Sequence, residues 1–368
     1  MPNYAQNWFI HTPIEQGEVL SSWLIRSALD MGCSPLILTE ALWGKWRALT
    51  IDLDRGVTED RLELLLAHSF EDKQKILQTM LSNVAPYLVN SSNSEWILSL
   101  GQRSRSNFSG RQICTQCFES DGRSAYLRLM WRMGWHSCCE KHQINLIDHC
   151  PNCGVVIQPF KIDLEHGSLA VCSSCHFNFT LYQPQPSNIQ TLDFQKNADS
   201  VLKKGTGLYN NQNISAIEWF EIARAWVSEI RYLANTKNIQ LIEMFESFGI
   251  SLNTLTPLTP IAFEYLNTNE RMIVLSLLNE IMKIPCEIII NRSYEYGVSN
   301  ANFWDKRKKL PIQLQQMKSA MIKPIRVYAL QRASSHNGQP KAKKTVQRKW
   351  FNLLRKSRKE RSSELGRG

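Results

Sequence analysis

A mainly α fold carrying small β knuckles is predicted by three features of the 368-residue sequence. Apolar residues recur at helical spacing toward both ends. Between them, seven cysteines and one histidine form pairs with two residues between members. The composition, 43% hydrophobic and 10% aromatic with eleven tryptophans, supplies a packed core and excludes wholesale disorder. At this length two or three domains are expected.

The first helical region spans 1–110. Leu20, Trp23, Leu24, Ser27 and Ala28 share one face at i, i+3, i+4 spacing. "DMGCSP" then breaks the helix: Gly32 supplies a turn, Ser34 a cap and Pro35 a first helical position. With the short apolar helix Leu36 to Leu42, this reads as a helix-turn-helix, though any αα-hairpin in a bundle gives the same pattern. "RLELLLAH" and "KQKILQTMLSNV" extend the region as amphipathic helices.

Residues 111–182 hold the pairs Cys114/Cys117, Cys139/His142, Cys150/Cys153 and Cys172/Cys175. Two intervening residues let one tight turn aim two side chains at an ion, and two turns complete a tetrahedron. Closed, thiolate-rich sets of four are structural zinc compositions, so a tandem zinc ribbon with two Zn²⁺ ions is expected and no catalytic residue is assigned. Sequential pairing joins the first two pairs and the last two. Interleaved pairing joins the first with the third and the second with the fourth, as in the cross-braced RING domains of ubiquitin ligases. The seven residues "QINLIDH" after His142 exceed the two or three of a RING and favour sequential pairing. Cys139 keeps the common spacing to His142 where Cys138 would not, so Cys139 is the expected ligand. His136, His149 and His176 are expected to be polar neighbours, and Cys33 and Cys286 buried small hydrophobes. Within the segment, "RSAYLRLMWRMGW" (123–135) reads as a helix that buries Tyr126, Met130 and Met133 and displays Arg128 and Arg132. "LAVCSSCHFNFTL" reads as a strand turning through a knuckle.

"QPQPSNIQ" and "KGTGLYNNQN" mark 183–213 as linker and loop. A helical C-terminal domain follows at 214–331. Its first helix places Ile217, Phe220, Ala223/Arg224 and Val227 in phase, and "FEYLNTNERMIVLSLLNEIMK" supplies another. Residues 286–311 read helix, Gly297 turn, helix, a second helix-turn-helix candidate with the cations Lys306, Arg307, Lys308 and Lys309.

The basic tail, 332–368, opens with a polar linker. Net charge is +10, yet 341–368 alone contain eleven Lys/Arg against two Glu, so the remainder is nearly neutral. Lys343, Lys344, Arg348, Lys349, Arg355, Lys356, Arg358 and Lys359 are candidate phosphate contacts, with Val346, Trp350, Leu353 and Leu354 along one side. A solubilising end has the same composition.

Other chemistry leaves no trace. No "GxxxxGK[ST]", "HExxH" or "GxSxG" occurs, and "HCPNC" lacks the proline and the preceding His-x-Glu of zinc deaminases. The longest apolar runs are too short for a bilayer, and residues 1–17 lack a secretory pattern, so a reducing, cytoplasmic setting without membrane contact is expected.

The stretch "PIEQGEVLSSWLIRSA", then "CTQC", then "YLRLMWRMGWHSCCEKHQINLIDHCPNCG", resembles the TniQ/TnsD family of transposition target-selection proteins. The matched elements are Pro13, Glu18 through Trp23 to Arg26, the Trp131-Arg132 approach to Cys139 and His142, and Leu146 to Cys150, Cys153 and Gly154. The resemblance covers about 9–180 and extends more weakly over 215–311. It implies a bacterial, nucleoid-associated, non-enzymatic adaptor. Such proteins connect target DNA to an AAA+ ATPase that recruits the transposase. They choose the target by reading DNA directly or by docking on an RNA-guided CRISPR effector complex, the latter often as homodimers. A zinc-containing transcription regulator shares the DNA-binding features, and a zinc-containing nuclease or RING-type ligase is the enzymatic alternative.

Overall fold

The computed structural model describes residues 8–46, 48–89, 95–100, 110–235, 238–250, 261–304, 309–323, 343, 346–348 and 350. It is mainly helical with two small antiparallel hairpins. The N-terminal helices are α1 (Leu20–Asp30), α2 (Pro35–Trp43), α3 (Glu59–His68), α4 (Lys73–Gln78), α5 (Leu81–Val84) and α6 (Pro86–Val89). The cysteine segment holds α7 (Thr115–Asp121), β1 (Cys138–Cys139) and β2 (Ile144–Asn145). Then come α8 (Ile189–Lys204), β3 (Thr206–Tyr209), β4 (Gln212–Ser215), α9 (Ala216–Asn235) and α10 (Ile239–Glu246). Helices α11 (Thr268–Lys283), α12 (Cys286–Glu295) and α13 (Ile312–Ala320) complete the series. Among the described residues, no helix is long and apolar enough to cross a membrane.

Helix α1 is buried from Leu20 through Ala28, because different sides of it meet different neighbours. Leu20, Trp23, Leu24 and Ala28 pack with α2 and α3, whereas Ile25 faces the larger core. Ser34 caps α2 by accepting from the Leu36 N–H, Pro35 opens it, and Gly32 takes φ 69° in the turn before it.

The larger core is organised by aromatic rings from distant stretches. Trp96 lies 5.4 Å from Phe263 and 6.0 Å from Trp135; Trp135 lies 4.9 Å from Phe220; Phe194 lies 5.6 Å from Trp219. This one cluster crosses the boundaries expected near 110, 182 and 213. Residues 1–323 form one compact unit and 324–368 a second.

Four expectations need correction. Residues 183–213 are not linker: α8 packs against α11, and β3–β4 form a hairpin. Its two-residue turn, Asn210-Asn211, has φ 48° and 61°, the left-handed pair that suits the twist of a tight hairpin. Residues 123–135 form extended chain and short 3₁₀ turns rather than a helix. Ala125, Leu127 and Leu129 alternate inward, a period of two, and Arg132 is buried rather than displayed. On α9 the buried face holds Trp219, Phe220, Ala223, Trp226 and Val227, leaving Ile217 53% exposed. The second helix expected within 286–311 begins only at Ile312, after Pro311. Phe303 and Trp304 hold the preceding chain in the core, where the Trp304 N–H donates to Glu229 at 2.8 Å.

Candidate metal centres

Cys114, Cys117, Cys139 and His142 converge, and so do Cys150, Cys153, Cys172 and Cys175, with the donor atoms of each set within 4.8 Å of one another. Sequential pairing is therefore the geometry found, and the interleaved arrangement is not.

In the first centre, the Cys117 and Cys139 sulfurs lie 3.6 Å apart, and His142 Nδ1 lies 3.4, 3.4 and 3.5 Å from the sulfurs of Cys114, Cys117 and Cys139. In the second, Cys150–Cys175 and Cys153–Cys172 are both 3.7 Å apart. A tetrahedral zinc with Zn–S near 2.3 Å and Zn–N near 2.0 Å would have S···S edges of about 3.8 Å and S···N edges of about 3.5 Å. The donor sets fit such an ion and leave no open coordination position.

Three of the four pairs ride on the same local device. The N–H groups of Gln143, Gly154 and His176 donate to the carbonyls of Cys139, Cys150 and Cys172 at 2.8, 2.8 and 3.0 Å. Each donor follows the second ligand of its pair and takes a left-handed φ, 52°, 70° and 56° respectively. That backbone turns the chain sharply enough to aim both ligands inward. The remaining pair sits at the start of α7, where Cys114 is the N-cap and its sulfur accepts from the Cys117 N–H at 3.4 Å. Pairing of β1 with β2 sets Cys139 opposite Ile144, and Ile113 exchanges hydrogen bonds with Ile147 at 2.9 and 3.0 Å. The stretch between the centres thus braces the first knuckle.

Cys138 points elsewhere: its sulfur lies 3.7 Å from Asn145 Oδ1, and burial pushes its thiol up to about 11. The neighbouring histidines have partners outside both sets. His136 contacts Asp199 at 2.9 Å; His149 contacts Asp148 at 2.7 Å, which raises its pKa; His176 stacks on His166 at 4.5 Å. Cys286 is buried beside the Tyr209 hydroxyl, and Cys33 is partly buried.

Two polar assemblies absent from the sequence expectations hold the first centre in place. Asp54 is fully buried between Arg111 and Arg132; Arg132 donates to it at 2.7 Å and to the Asp52 oxygens at 2.8 and 2.9 Å. Burial would raise the Asp54 carboxyl, but the two guanidiniums outweigh it and hold its pKa at about 2. On the other side, buried Arg271 of α11 donates to the carbonyls of Gly134 and His136 at 3.1 and 3.3 Å and to Gln112 at 2.9 Å. Burial pulls its pKa down to about 10.

The Glu18–Arg26 stretch forms a third assembly. Glu18 accepts from Arg26 at 2.7 Å, the Ser22 hydroxyl at 2.7 Å and the Glu15 N–H at 3.0 Å, while Trp23 Nε1 donates to the Thr12 carbonyl at 2.8 Å. Leu127 N–H reaches Ser22 Oγ at 3.0 Å and Val19 N–H reaches the Leu127 carbonyl at 3.0 Å, so this clasp is stitched to the cysteine segment.

The expected DNA contacts divide. Lys309, Lys343 and Arg348 are exposed to solvent. Lys306, Arg307, Lys308, Lys344, Lys349, Arg355, Lys356, Arg358 and Lys359 lie outside the described residues. On α2, the outward face of the first helix-turn-helix candidate, Leu36 is 52% and Ile37 60% exposed beside Glu40. That face offers no cation to phosphate.

Comparison with known proteins gives one family: residues 9–146 match the family model described as TniQ. The match takes in the Glu18–Arg26 clasp and all four ligands of the first centre, and it ends before the second. No curated protein matches the chain.

Proposed function

We propose, from the match of residues 9–146 to the TniQ family model, that the chain is a non-catalytic target-selection factor for DNA transposition. A transposition-associated role follows from the family. The finer reading is that the protein links a chosen DNA site, reached directly or through an RNA-guided CRISPR effector complex, to an AAA+ transposition regulator. The observation that carries it is the matched span itself, which unites the clasp and the first centre in one buried framework.

Both centres would hold Zn²⁺, the first through Cys114, Cys117, Cys139 and His142 and the second through Cys150, Cys153, Cys172 and Cys175. Four protein donors leave no position for water or substrate, so the ion supplies folding energy rather than Lewis acidity. This supports an adaptor over a zinc nuclease. Among the described basic candidates, Lys309, Lys343 and Arg348 are available for phosphate contact.

The test is recruitment. Purified chain immobilised on its target DNA, or on the effector complex bound there, is expected to retain the AAA+ regulator of the same element. Retention that is equal without the chain contradicts the reading.

A further inference from the structure

The segment read from sequence as linker carries an unassigned surface. On α8, Ile189, Asp193, Lys196, Asn197, Ser200, Lys203 and Lys204 fall within one third of the helix circumference, while the other half-exposed positions, Gln190, Asp199 and Leu202, lie outside that arc. Three lysines face one aspartate there. None of the three has an ion-pair partner among the described residues. Lys203 and Lys204 lie in the last turn, where cations also complement the helix dipole, but Lys196 is mid-helix, where no dipole end calls for one.

The hairpin after α8 is held rigidly. Gly207 lies against Trp219 and Val201, where an added Cβ would come within 2.7 and 2.8 Å, so the ribbon sits directly on α8 and α9. Its inward positions are Gly207, Tyr209 and Ile214; its outward pairs are Thr206 with Ser215 and Leu208 with Asn213. At the tip, Asn210 is engaged, accepting from the Cys286 N–H at 3.0 Å. The side-chain carboxamides of Asn211, Gln212 and Asn213 are exposed and make no side-chain hydrogen bond among the described residues. Asn197 of the lysine face and Asn211 of the tip line one cleft of about 340 Å³, so helix face and ribbon tip form one surface. Lys283 closes an edge of that cleft, its charge shared with Glu280 at 3.3 Å.

We propose that this helix face and hairpin form a duplex-DNA contact, with Lys196, Lys203 and Lys204 on phosphates and Asn197 and Asn211 toward base edges. Lysine ammonium groups bind phosphate oxygens as point charges whatever the sequence, and carboxamides pair with the donor and acceptor of adenine in the major groove. A two-stranded ribbon fits that groove. This surface rests on the target-selection reading and assigns it a DNA-facing side, separate from the tail and from the first helix-turn-helix candidate and adjoining the start of the second.

The experiment compares full-length wild type with two variants on duplexes of different sequence across a salt series. Lys196→Gln/Lys203→Gln/Lys204→Gln is expected to weaken binding to all duplexes and to flatten the slope of log K against log salt by about 3. Asn197→Ala/Asn211→Gly, whose glycine keeps the left-handed backbone, is expected to leave the slope unchanged and reduce discrimination between sequences by roughly 5- to 100-fold. Unchanged slope and affinity in the lysine variant, with a wild-type melting temperature, overturn the surface alone. Wild type that binds no duplex overturns direct DNA reading with it. Preference for single-stranded RNA overturns the assignment to DNA.

Discussion

At Cys139 the side chain turns toward Cys114, Cys117 and His142, while its neighbour Cys138 is buried against Asn145. The sequence distinguishes the two by spacing alone, and the knuckle geometry gives the reason: the left-handed Gln143 closes a turn that includes Cys139 and excludes Cys138. Native mass spectrometry is expected to show two zinc ions per chain, one fewer in Cys139→Ala, and two in Cys138→Ala. Loss of an ion in Cys138→Ala would reverse the assignment. Asp54 is a residue that sequence could not single out, because isolated acids are common and its partners Arg111 and Arg132 are 57 and 78 positions away. Replacing it with Asn leaves two buried guanidiniums short of a counter-charge and should cost about 3–5 kcal/mol at pH 7 by denaturant unfolding. Its folded pKa, about 2, lies below the ordinary 3.8, so its ionised contribution is complete above pH 3.8 and fades as pH falls through 2. The gap between wild type and Asp54→Asn should narrow over that window. A gap that is constant with pH would mean the carboxylate charge is not what stabilises.

Among the elements, the two helices around Gly32 are legible because cap and apolar period agree, and α11 is legible from its apolar stretch. Asn267 and Glu270 form a reciprocal capping box at the start of α11. Sequence pattern and structure part where polar residues are buried or turns are dense. Arg132 reads as a solvent-facing helix residue because its acidic partners are remote in sequence, whereas the alternation of Ala125, Leu127 and Leu129 signals extended chain. "KGTGLYNNQN" reads as loop because two glycines and three asparagines fall in or beside strands of only four residues. Gly207 is the point where the hairpin can be tested as packed structure. Gly207→Ala forces a methyl onto Trp219 and Val201 and is expected to destabilise by about 1–3 kcal/mol, read as a lowered melting temperature. A neutral substitution would contradict the packing of ribbon on helix.

Across the described residues, the segments expected as separate domains share the larger core, whose members run from Val19 to Met321, while the N-terminal helices also keep a smaller core of their own. Spacing identified the ligands, but periodicity within each segment carries no record of which segments pack together. Arg271, reaching from α11 to the Gly134 and His136 carbonyls, makes the cysteine segment and the C-terminal helices interdependent. Chelation should therefore reduce hydrogen-exchange protection in α11 as well as in 112–180; loss confined to the cysteine segment would contradict that coupling. Deleting 341–368, which contain most of the net charge, should weaken DNA binding across all sequences and flatten its salt dependence. Unchanged affinity and slope would make the tail a solvated end. Target selection itself is tested most directly by mapping insertions in cells that carry the transposase and AAA+ regulator, with and without this chain. Insertions concentrated at one site only when the chain is present are the predicted result. The same insertion profile in its absence would contradict the account.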